Sequence, residues 1–339
     1  VKVAIYGAGS MGTILGAYIS KAGYQIDLIS RNTKHIESLK KYGAKIVGKI
    51  EFTQQVVALL PKEMTHKYDI ILLMTKQLDN IAITKSLLPY LKNDGVICTM
   101  QNGLPEISVS EVIGKDRTFG CAMSWGATLI KSGNSELTSE ATRESLTFSI
   151  GKFGNNDDTK FNYVVELLNT MGEVVIENNF IGARWAKLLV NAAFSGLSVV
   201  TGGNFGEISK NKKSRKLAQM IMKECIEVCK KDGIKIEAIQ GKNIGELMDY
   251  NNLIKRWISF MIIPLAMRKH KLIKSSMLGD IEKGRNCEIE AINGVVCNYG
   301  NKVGVETPVN DRVVKLTHEI EKKKYISEWK NLDLFKDLV

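Results

Sequence analysis

A lysine, an asparagine and a serine recur along one side of the stretch GARWAKLLVNAAFSGLSVVT, residues 182–201. Lys187, Asn191 and Ser195 follow one another at intervals of four, with Arg184 three residues ahead, a repeat that puts side chains on one face of an α-helix. The other positions are mostly Ala, Leu, Val, Trp and Phe, so the helix itself reads as buried. An ammonium in that setting requires hydrogen-bonding partners or an anionic ligand to offset its lost hydration. Beside a carbonyl it can polarise the oxygen and protonate the charge that develops there. The alternative is that Lys187 reaches out to water while Asn191 and Ser195 bond nearby backbone groups.

A second polar constellation stands in SSMLGDIEKGRNCEIEAINGVV, residues 275–296. Lys283-Gly284 breaks a helix, Asn286 can cap the next one, and Glu288 then falls in its first turn, where a carboxylate either balances the helix dipole or serves a site. In an unbroken helix Ser276 and Glu288 would point about 120° apart, and the break lets both face the same side.

Such groups must be positioned by a scaffold, and the N-terminal sequence names one. VKVAIYGAGSMGTILGAYISKAGYQIDLISR reads as strand, glycine turn, helix and strand. The turn is Gly7-Ala8-Gly9-Ser10-Met11-Gly12, with glycines where a dinucleotide site needs a tight turn, close backbone approach to a pyrophosphate, and tight helix packing. The second strand ends in Ser30-Arg31-Asn32 rather than in the Asp or Glu that would hold the ribose diol of NAD, and Asp27 comes early for that task. Arg31 can clamp a 2′-phosphate, with Ser30 and Asn32 nearby, so NADP(H) is the expected cofactor. The strands expected at Tyr68–Thr75 and Val96–Met100 stop at Lys76-Gln77 and Gln101-Asn102-Gly103, which makes Lys76 and Asn102 candidates at the carboxyl edge of the sheet.

From Thr118 to Phe153, strand-like segments separated by turn formers are expected to extend the sheet with antiparallel strands. A helix at Phe161–Leu168 and a strand at Val174–Ile176 follow, after which α/β alternation ceases. The expectation is an α/β chain: an N-terminal Rossmann-type dinucleotide-binding domain, 1–180, followed by a mainly α-helical C-terminal domain, 181–339. Helices are expected at Leu217–Lys230, from Ile244 to Tyr250 and at Pro308–Lys324.

Composition is that of an ordinary globular protein: of 339 residues 44% are hydrophobic and 24% charged, outside the disordered range. Lys and Arg number 47 against 36 acidic residues, a net +11, but they are scattered and match no nucleic-acid motif, so an anionic cofactor and a small anionic substrate are the expected partners. The apolar run Trp257–Met267 is too short to span a bilayer. The chain leads directly into a first strand, and its six Cys lack disulfide or metal-ligand spacing, so no membrane, a cytoplasmic location and reduced thiols are expected. The four His are far apart, and no metal site is expected. A homodimer is the expectation from general frequency, with no interface named by the sequence.

Taken in order, GAGSMG, Arg31, TKQ around Lys76, QNG at Gln101, RWAKLLVN at Arg184, the 275–296 segment and TPVND at Thr307 make the chain resemble the ketopantoate reductase (2-dehydropantoate 2-reductase) family over nearly its full length. The resemblance implies NADPH-dependent reduction of ketopantoate to D-pantoate, in pantothenate and coenzyme A biosynthesis, with the substrate held between the domains. It makes Lys187 and Glu288 catalytic, Asn102, Asn191 and Ser276 substrate-binding, and Lys76 cofactor-binding alongside the glycine turn, Arg31, Asn102 and Glu288. Where the family commonly has a second Asn one turn after the first, this chain has Ser195, whose hydroxyl has neither the reach nor the paired donors of an amide. That departure keeps open a related D-2-hydroxyacid dehydrogenase acting on another branched or aromatic 2-oxoacid. A nucleotide-binding sensor without chemistry is the other alternative, disfavoured by the presence of both Lys187 and Glu288.

Overall fold

Two short runs, VAIY and YDIILL, lie side by side as parallel strands, since strands covered on both faces leave almost no solvent side for polar residues. The computed structural model describes residues 1–155, 158–238 and 241–338. In chain order the strands are β1 (Val3–Tyr6), β2 (Ile26–Ile29), β3 (Ala44–Gly48), β4 (Phe52–Gln54), β5 (Val57–Leu59), β6 (Tyr68–Leu73), β7 (Leu91–Thr99), β8 (Thr118–Met123), β9 (Ala127–Lys131), β10 (Asn134–Leu137), β11 (Phe148–Lys152) and β12 (Val174–Ile176). The helices are α1 (Ser10–Lys21), α2 (Thr33–Tyr42), α3 (Asn80–Leu87), α4 (Pro105–Ile113), α5 (Asp158–Asn169), α6 (Phe180–Thr201), α7 (Phe205–Lys210), α8 (Lys212–Lys231), α9 (Ile244–Met248), α10 (Leu253–Ala266), α11 (Ser276–Glu282), α12 (Val295–Val303) and α13 (Pro308–Glu321).

Contacts divide the chain into two units, Val1–Gln101 with Pro105–Phe180, and Asn102–Leu104 with Ile181–Val339. The first carries an eight-stranded sheet ordered β12-β11-β8-β7-β6-β1-β2-β5. From β1 the chain winds outward through β2 to one edge and returns to place β6 on the other side of β1. That reversal is the switch point at which open α/β sheets leave a crevice for ligands.

The 118–153 region departs from the expected antiparallel extension. Strand β8 runs parallel to β7, and only β11 is antiparallel, to β8. Strands β9 and β10 leave the sheet altogether and join β3 and β4 in a second, four-stranded sheet ordered β4-β3-β10-β9. Strand β10 buries Ser135 and Leu137 on one face, whereas β9 is largely exposed. This small sheet needs only alternate apolar residues, which hides it beside the solid runs of the main one.

A buried imidazole joins the two sheets' territories. His35 of α2 accepts a hydrogen bond at Nδ1 from the Gly133 backbone N–H, 3.0 Å away at the start of β10. Its Nε2 therefore carries the proton and faces the Thr13 hydroxyl of α1 at 3.0 Å.

The second unit is helical throughout its regular elements. Helix α6 is buried along nearly its whole length, and α13 begins with Pro308 in its first turn, where a missing N–H costs nothing. Between α11 and α12 the chain makes a π-turn, Glu290–Gly294. No helix among the described residues is long and apolar enough to cross a membrane.

Burial lowers the pKa of His35, opposed by the Ala8 backbone. The unfolded chain therefore binds this proton more readily than the folded one, and stability is complete above the ordinary imidazole value of about 6.5 and is lost as pH falls from there toward the lower folded value. Urea unfolding from pH 7.5 down to 5 should show a falling midpoint in the wild type and a flatter profile in His35→Gln. An unchanged slope in the variant would place the titrating group elsewhere.

Candidate active site

Each glycine of the turn meets a different physical demand. Gly7 has φ +108°, and a Cβ there would lie 2.4 Å from the Thr75 backbone nitrogen. A Cβ on Gly12 would lie 2.9 Å from the Gly7 carbonyl oxygen and 3.0 Å from the Ile5 side chain, so only glycine lets α1 start this close to β1. Beside Gly9 the space is open, with no atom nearer than the Gly7 oxygen at 4.0 Å. The turn is pinned to β2 by the N–H groups of Gly7 and Ala8, both 2.9 Å from the Ile29 carbonyl.

Helix α1 opens at Gly9 without a side-chain cap and has no acidic residue in its first turn, so its N–H groups point toward that opening. This is the setting that suits a pyrophosphate. Ser10 turns its hydroxyl to the Ala127 carbonyl at 3.3 Å, leaving its backbone for the turn, and Met11 packs against the hydrophobic core.

At the tip of β2, Arg31 is exposed. Asp27 accepts a hydrogen bond from the Tyr68 hydroxyl at 2.7 Å and is thereby occupied within the sheet. Asn32 caps α2 through the His35 N–H, so its side chain has structural work beside Arg31. Lys76 is exposed one residue beyond Thr75, the residue against which Gly7 packs. Sequence reasoning passed over the pair behind it. Gln101 and Asn80 exchange amide hydrogen bonds at 2.8 and 3.0 Å, and Gln101 also donates to the Thr75 carbonyl at 2.8 Å. Gln101 thus fixes the chain immediately before Asn102, which is half-buried.

In the second unit the polar stripe is real but narrower than the spacing suggests. Lys187, Asn191 and Ser195 are half-buried positions on a helix whose other residues in that span are mostly buried. Arg184 instead is 1% exposed and belongs to the interior. Ser275, buried, accepts the Leu278 N–H as the cap of α11 and donates to the Ser195 carbonyl at 3.5 Å. This cap brings the start of α11 against α6 and leaves Ser276, the first helical residue, exposed.

Glu288 lies one residue earlier than expected relative to its helix. The helix opens at Ile289, so Glu288 occupies the preceding bend, with its carbonyl accepting the Ala291 N–H at 3.0 Å, and Asn286 is too far upstream to cap it. The segment is held from both sides. Asn293, in the π-turn and fully buried, donates to the Ala192 carbonyl of α6 at 3.0 Å and to Asn310 at 2.9 Å. Asn310 in turn donates to Glu224 of α8 at 2.7 Å, and Glu224 also accepts the N–H groups of Val309 and Asn310 at the start of α13. Burial raises the Glu224 carboxyl pKa, against these donors, which lower it.

On the other side Glu321 accepts the Cys287 N–H at 2.8 Å and pairs with His318, whose second nitrogen meets Glu290 at 2.6 Å. Burial would lower the His318 pKa, and the two carboxylates raise it instead. Burial also pushes the Cys287 thiol up to about 12, so the residue beside Glu288 stays protonated and is no nucleophile. The motifs containing Asn293 and Asn310 were visible in the sequence, but their amides give no signal that distinguishes a core network from a surface turn.

Comparison with known proteins identifies a family that spans both units. The family model described as Ketopantoate reductase PanE/ApbA matches residues 3–150, and its C-terminal companion matches residues 179–321. The 2-dehydropantoate 2-reductase of Archaeoglobus fulgidus is 26% identical over 324 residues, spanning 94% of this chain and 98% of that protein. Among solved structures, a ternary complex of D-mandelate dehydrogenase with NADH and anilino(oxo)acetate is similar in fold, with TM-score 0.81 at 22% identity over 95% of this chain and 99% of the other. A PanE/ApbA family ketopantoate reductase from Ralstonia eutropha JMP134 follows at TM-score 0.79 and 20% identity, over 96% of this chain and 99% of the other.

The glycines separate folding from binding. Gly7→Ala adds a backbone overlap and a strained φ worth at least about 1 kcal/mol, so its melting temperature should fall. Gly9→Ala meets open space and should leave the ligand-free protein as stable as wild type while weakening dinucleotide binding at least tenfold, read by calorimetric titration. Undiminished binding by Gly9→Ala would remove the turn from the cofactor site.

Proposed function

The chain belongs to the ketopantoate reductase family, oxidoreductases that act on a CH–OH group with a nicotinamide dinucleotide, and from that premise we propose that it reduces ketopantoate to D-pantoate with NADPH. The observation that carries this reading is the half-buried Lys187, Asn191 and Ser195 stripe on an otherwise buried helix. We assign dinucleotide binding to the 1–180 domain and substrate binding with catalysis to 181–339, in a cytoplasmic enzyme of pantothenate and coenzyme A biosynthesis.

Bound NADPH supplies the hydride that the carbonyl carbon accepts. The backbone of Gly7, Ala8, Gly9, Ser10, Met11 and Gly12 would hold the pyrophosphate, Arg31 would clamp the 2′-phosphate, and Lys76 would stand on the cofactor side of the site. The Lys187 ammonium donates a hydrogen bond to the carbonyl oxygen and then the proton that completes the hydroxyl, after which water restores its charge. Glu288 would accept a hydrogen bond from the substrate's hydroxyl and help orient Lys187, while Asn102 would stand near the nicotinamide and the substrate. Asn102, Asn191 and Ser276 fix the oxoacid without changing charge. A net charge of +11 favours the approach of both anionic ligands.

The second reading, a D-2-hydroxyacid dehydrogenase for another branched or aromatic 2-oxoacid, is favoured by Ser195. A shorter group one turn beyond Asn191 leaves more room and one donor fewer.

A panel of 2-oxoacids with NADPH tests both. Ketopantoate should be turned over fastest, and faster conversion of an aromatic oxoacid would transfer the assignment to the second reading. Lys187→Ala should still bind NADPH while its maximal rate falls about a hundredfold or more, since the alkoxide loses its nearest positive charge and its proton donor. If only KM rises, Lys187 is a carboxylate anchor rather than the acid. Arg31→Ala should weaken NADPH far more than NADH, because only the former brings the 2′-phosphate. Equal losses would leave Arg31 with no part in cofactor choice.

A further inference from the structure

One imidazole ring holds both ends of the segment that carries Glu288. His318, in the last turn of α13, has its Nδ1 2.8 Å from Oε2 of Glu321 and its Nε2 2.6 Å from Oε1 of Glu290. The other oxygen of Glu321, Oε1, accepts the Cys287 N–H at 2.8 Å. Cys287 directly precedes Glu288, and Glu290, two residues beyond it, opens the π-turn. Residues 287–290 are thus fastened at each end to the same ring, through Glu321 on one side and directly through Glu290 on the other.

Hydrogen-bonding capacity fixes the charge of that ring. An ionised carboxylate only accepts and a neutral imidazole has a single N–H, so two flanking carboxylates are both satisfied only by the imidazolium. The carbonyl end of α13, where His318 sits, favours a cation as well. Glu321 is nearly immovable, its side chain 8% exposed, whereas the Glu290 side chain is 62% exposed and rests beside Gly294, where a Cβ would overlap its carboxylate. From the neighbouring elements, the Cys287 thiol faces Glu321 and stays protonated, and Asp280 of α11 adds its negative charge at Cys287. Glu224 of α8 is engaged at the opposite end of α13, and Lys302 of α12 lies toward Asp232 at 3.9 Å. On α13 itself Glu319 faces Lys324 at 4.0 Å, while Lys315 and Lys322, one turn to either side of the ring, are exposed.

We propose that His318 is a positioning residue for Glu288, an imidazolium strap that keeps the 287–290 segment closed and releases one end of it on loss of a proton. The proposal rests on the reading of Glu288 as a catalytic group. When the ring is neutral, its one N–H stays with the buried Glu321, and Nε2 turns a lone pair toward Glu290, which is exposed enough to swing into water. The Cys287 end remains tied while the Glu290 end opens, so Glu288 loses its fixed direction and the fold is retained. Burial lowers the pKa of the ring and the two carboxylates raise it by more, to above the ordinary value of about 6.5. The strap is therefore complete below that ordinary value and is lost as pH rises through the higher folded one.

An NMR titration of the four histidines, with His318 identified by its absence from His318→Lys, should show it protonated on both nitrogens at about pH 6.5 and titrating above it. Glu290→Gln should bring that titration down. Assayed from about pH 6 to 9 with the 2-oxoacid it turns over fastest, the wild type should lose about tenfold in kcat through the same pKa, with the KM for NADPH unchanged. His318→Lys keeps a cation with donors for both carboxylates and should hold the low-pH rate across the range, whereas His318→Gln should run at the alkaline rate throughout. Any dependence owed to Lys187 persists in all three proteins. A His318 that titrates at or below the ordinary value, or that ignores Glu290→Gln, overturns the strap, and identical kcat profiles in wild type, His318→Lys and His318→Gln overturn its hold on Glu288. Hydrogen exchange of the 286–294 amides, wild type against His318→Lys at each pH, separates the strap from the catalytic reading. Faster exchange in the wild type above the His318 pKa, in a protein that reduces no 2-oxoacid, sinks the proposed function and supports the strap; equal exchange in both proteins at every pH sinks the strap.

Discussion

The arrangement of the second unit depends on one buried amide. Asn293 reaches from the π-turn to the Ala192 carbonyl on α6, in the middle of the stretch that carries Asn191 and Ser195. A carbonyl inside a helix already accepts one backbone hydrogen bond, and it can take a second only where a neighbouring element comes very close. Gly196 permits this, since a Cβ there would lie 2.6 Å from the Asn293 side-chain oxygen. The irregular turn has the same origin: a residue inserted into the helix aims Asn293 at α6 and displaces what precedes it, so that Glu288 comes to lie in a bend rather than on a regular helical face. From Asn293 the chain of hydrogen bonds continues through Asn310 to Glu224, linking α6, α13 and α8. Each buried link costs about 1–3 kcal/mol if its partner is removed, which makes the geometry around Glu288 a property of the core rather than of a surface loop.

The first unit uses a related device. Its carboxyl edge is held by the Gln101–Asn80 amide pair and the Gln101 bond to Thr75, while Gly7 packs against Thr75 from the other side. Strand ends at a ligand edge have lost their sheet partners, and unpaired backbone there would fray. Buried amides satisfy these groups beside Lys76 and Asn102.

Elements whose pattern is strong in one dimension were legible in the sequence. Both β1 and β6 announce themselves as nearly continuous apolar runs, α8 by its period and α13 by Pro308. Strands β3, β4 and β5 were not found, because three to five partly exposed residues carry too little alternation to stand above background. The direction of β8 was misjudged for a related reason, since local pattern contains no information about pairing sense. On α6, the shared half-buried face of Lys187 and Asn191 was legible from spacing alone. The grouping of Arg184 with them could not be resolved, because a sixty-degree offset on a helix is enough to exchange a half-open face for the core. The roles of Asn293, Asn310 and Glu224 lay beyond reach, as they arise from contacts between residues tens of positions apart.

The same packing separates exchangeable from locked positions along α6. Along α6 the half-buried positions alternate with locked ones: Gly196 is fixed by Asn293 and Val313, Ala192 by the hydrogen bond to its carbonyl, and Phe194 by complete burial. A change at any of these disturbs the core before it reaches a ligand. Ser195 differs, because the bond tying it to Ser275 runs through its backbone carbonyl and leaves its side chain out of that contact. A residue held by its backbone can exchange its side chain at little structural cost. Position 195 can therefore exchange its side chain at less structural cost than its buried neighbours along α6.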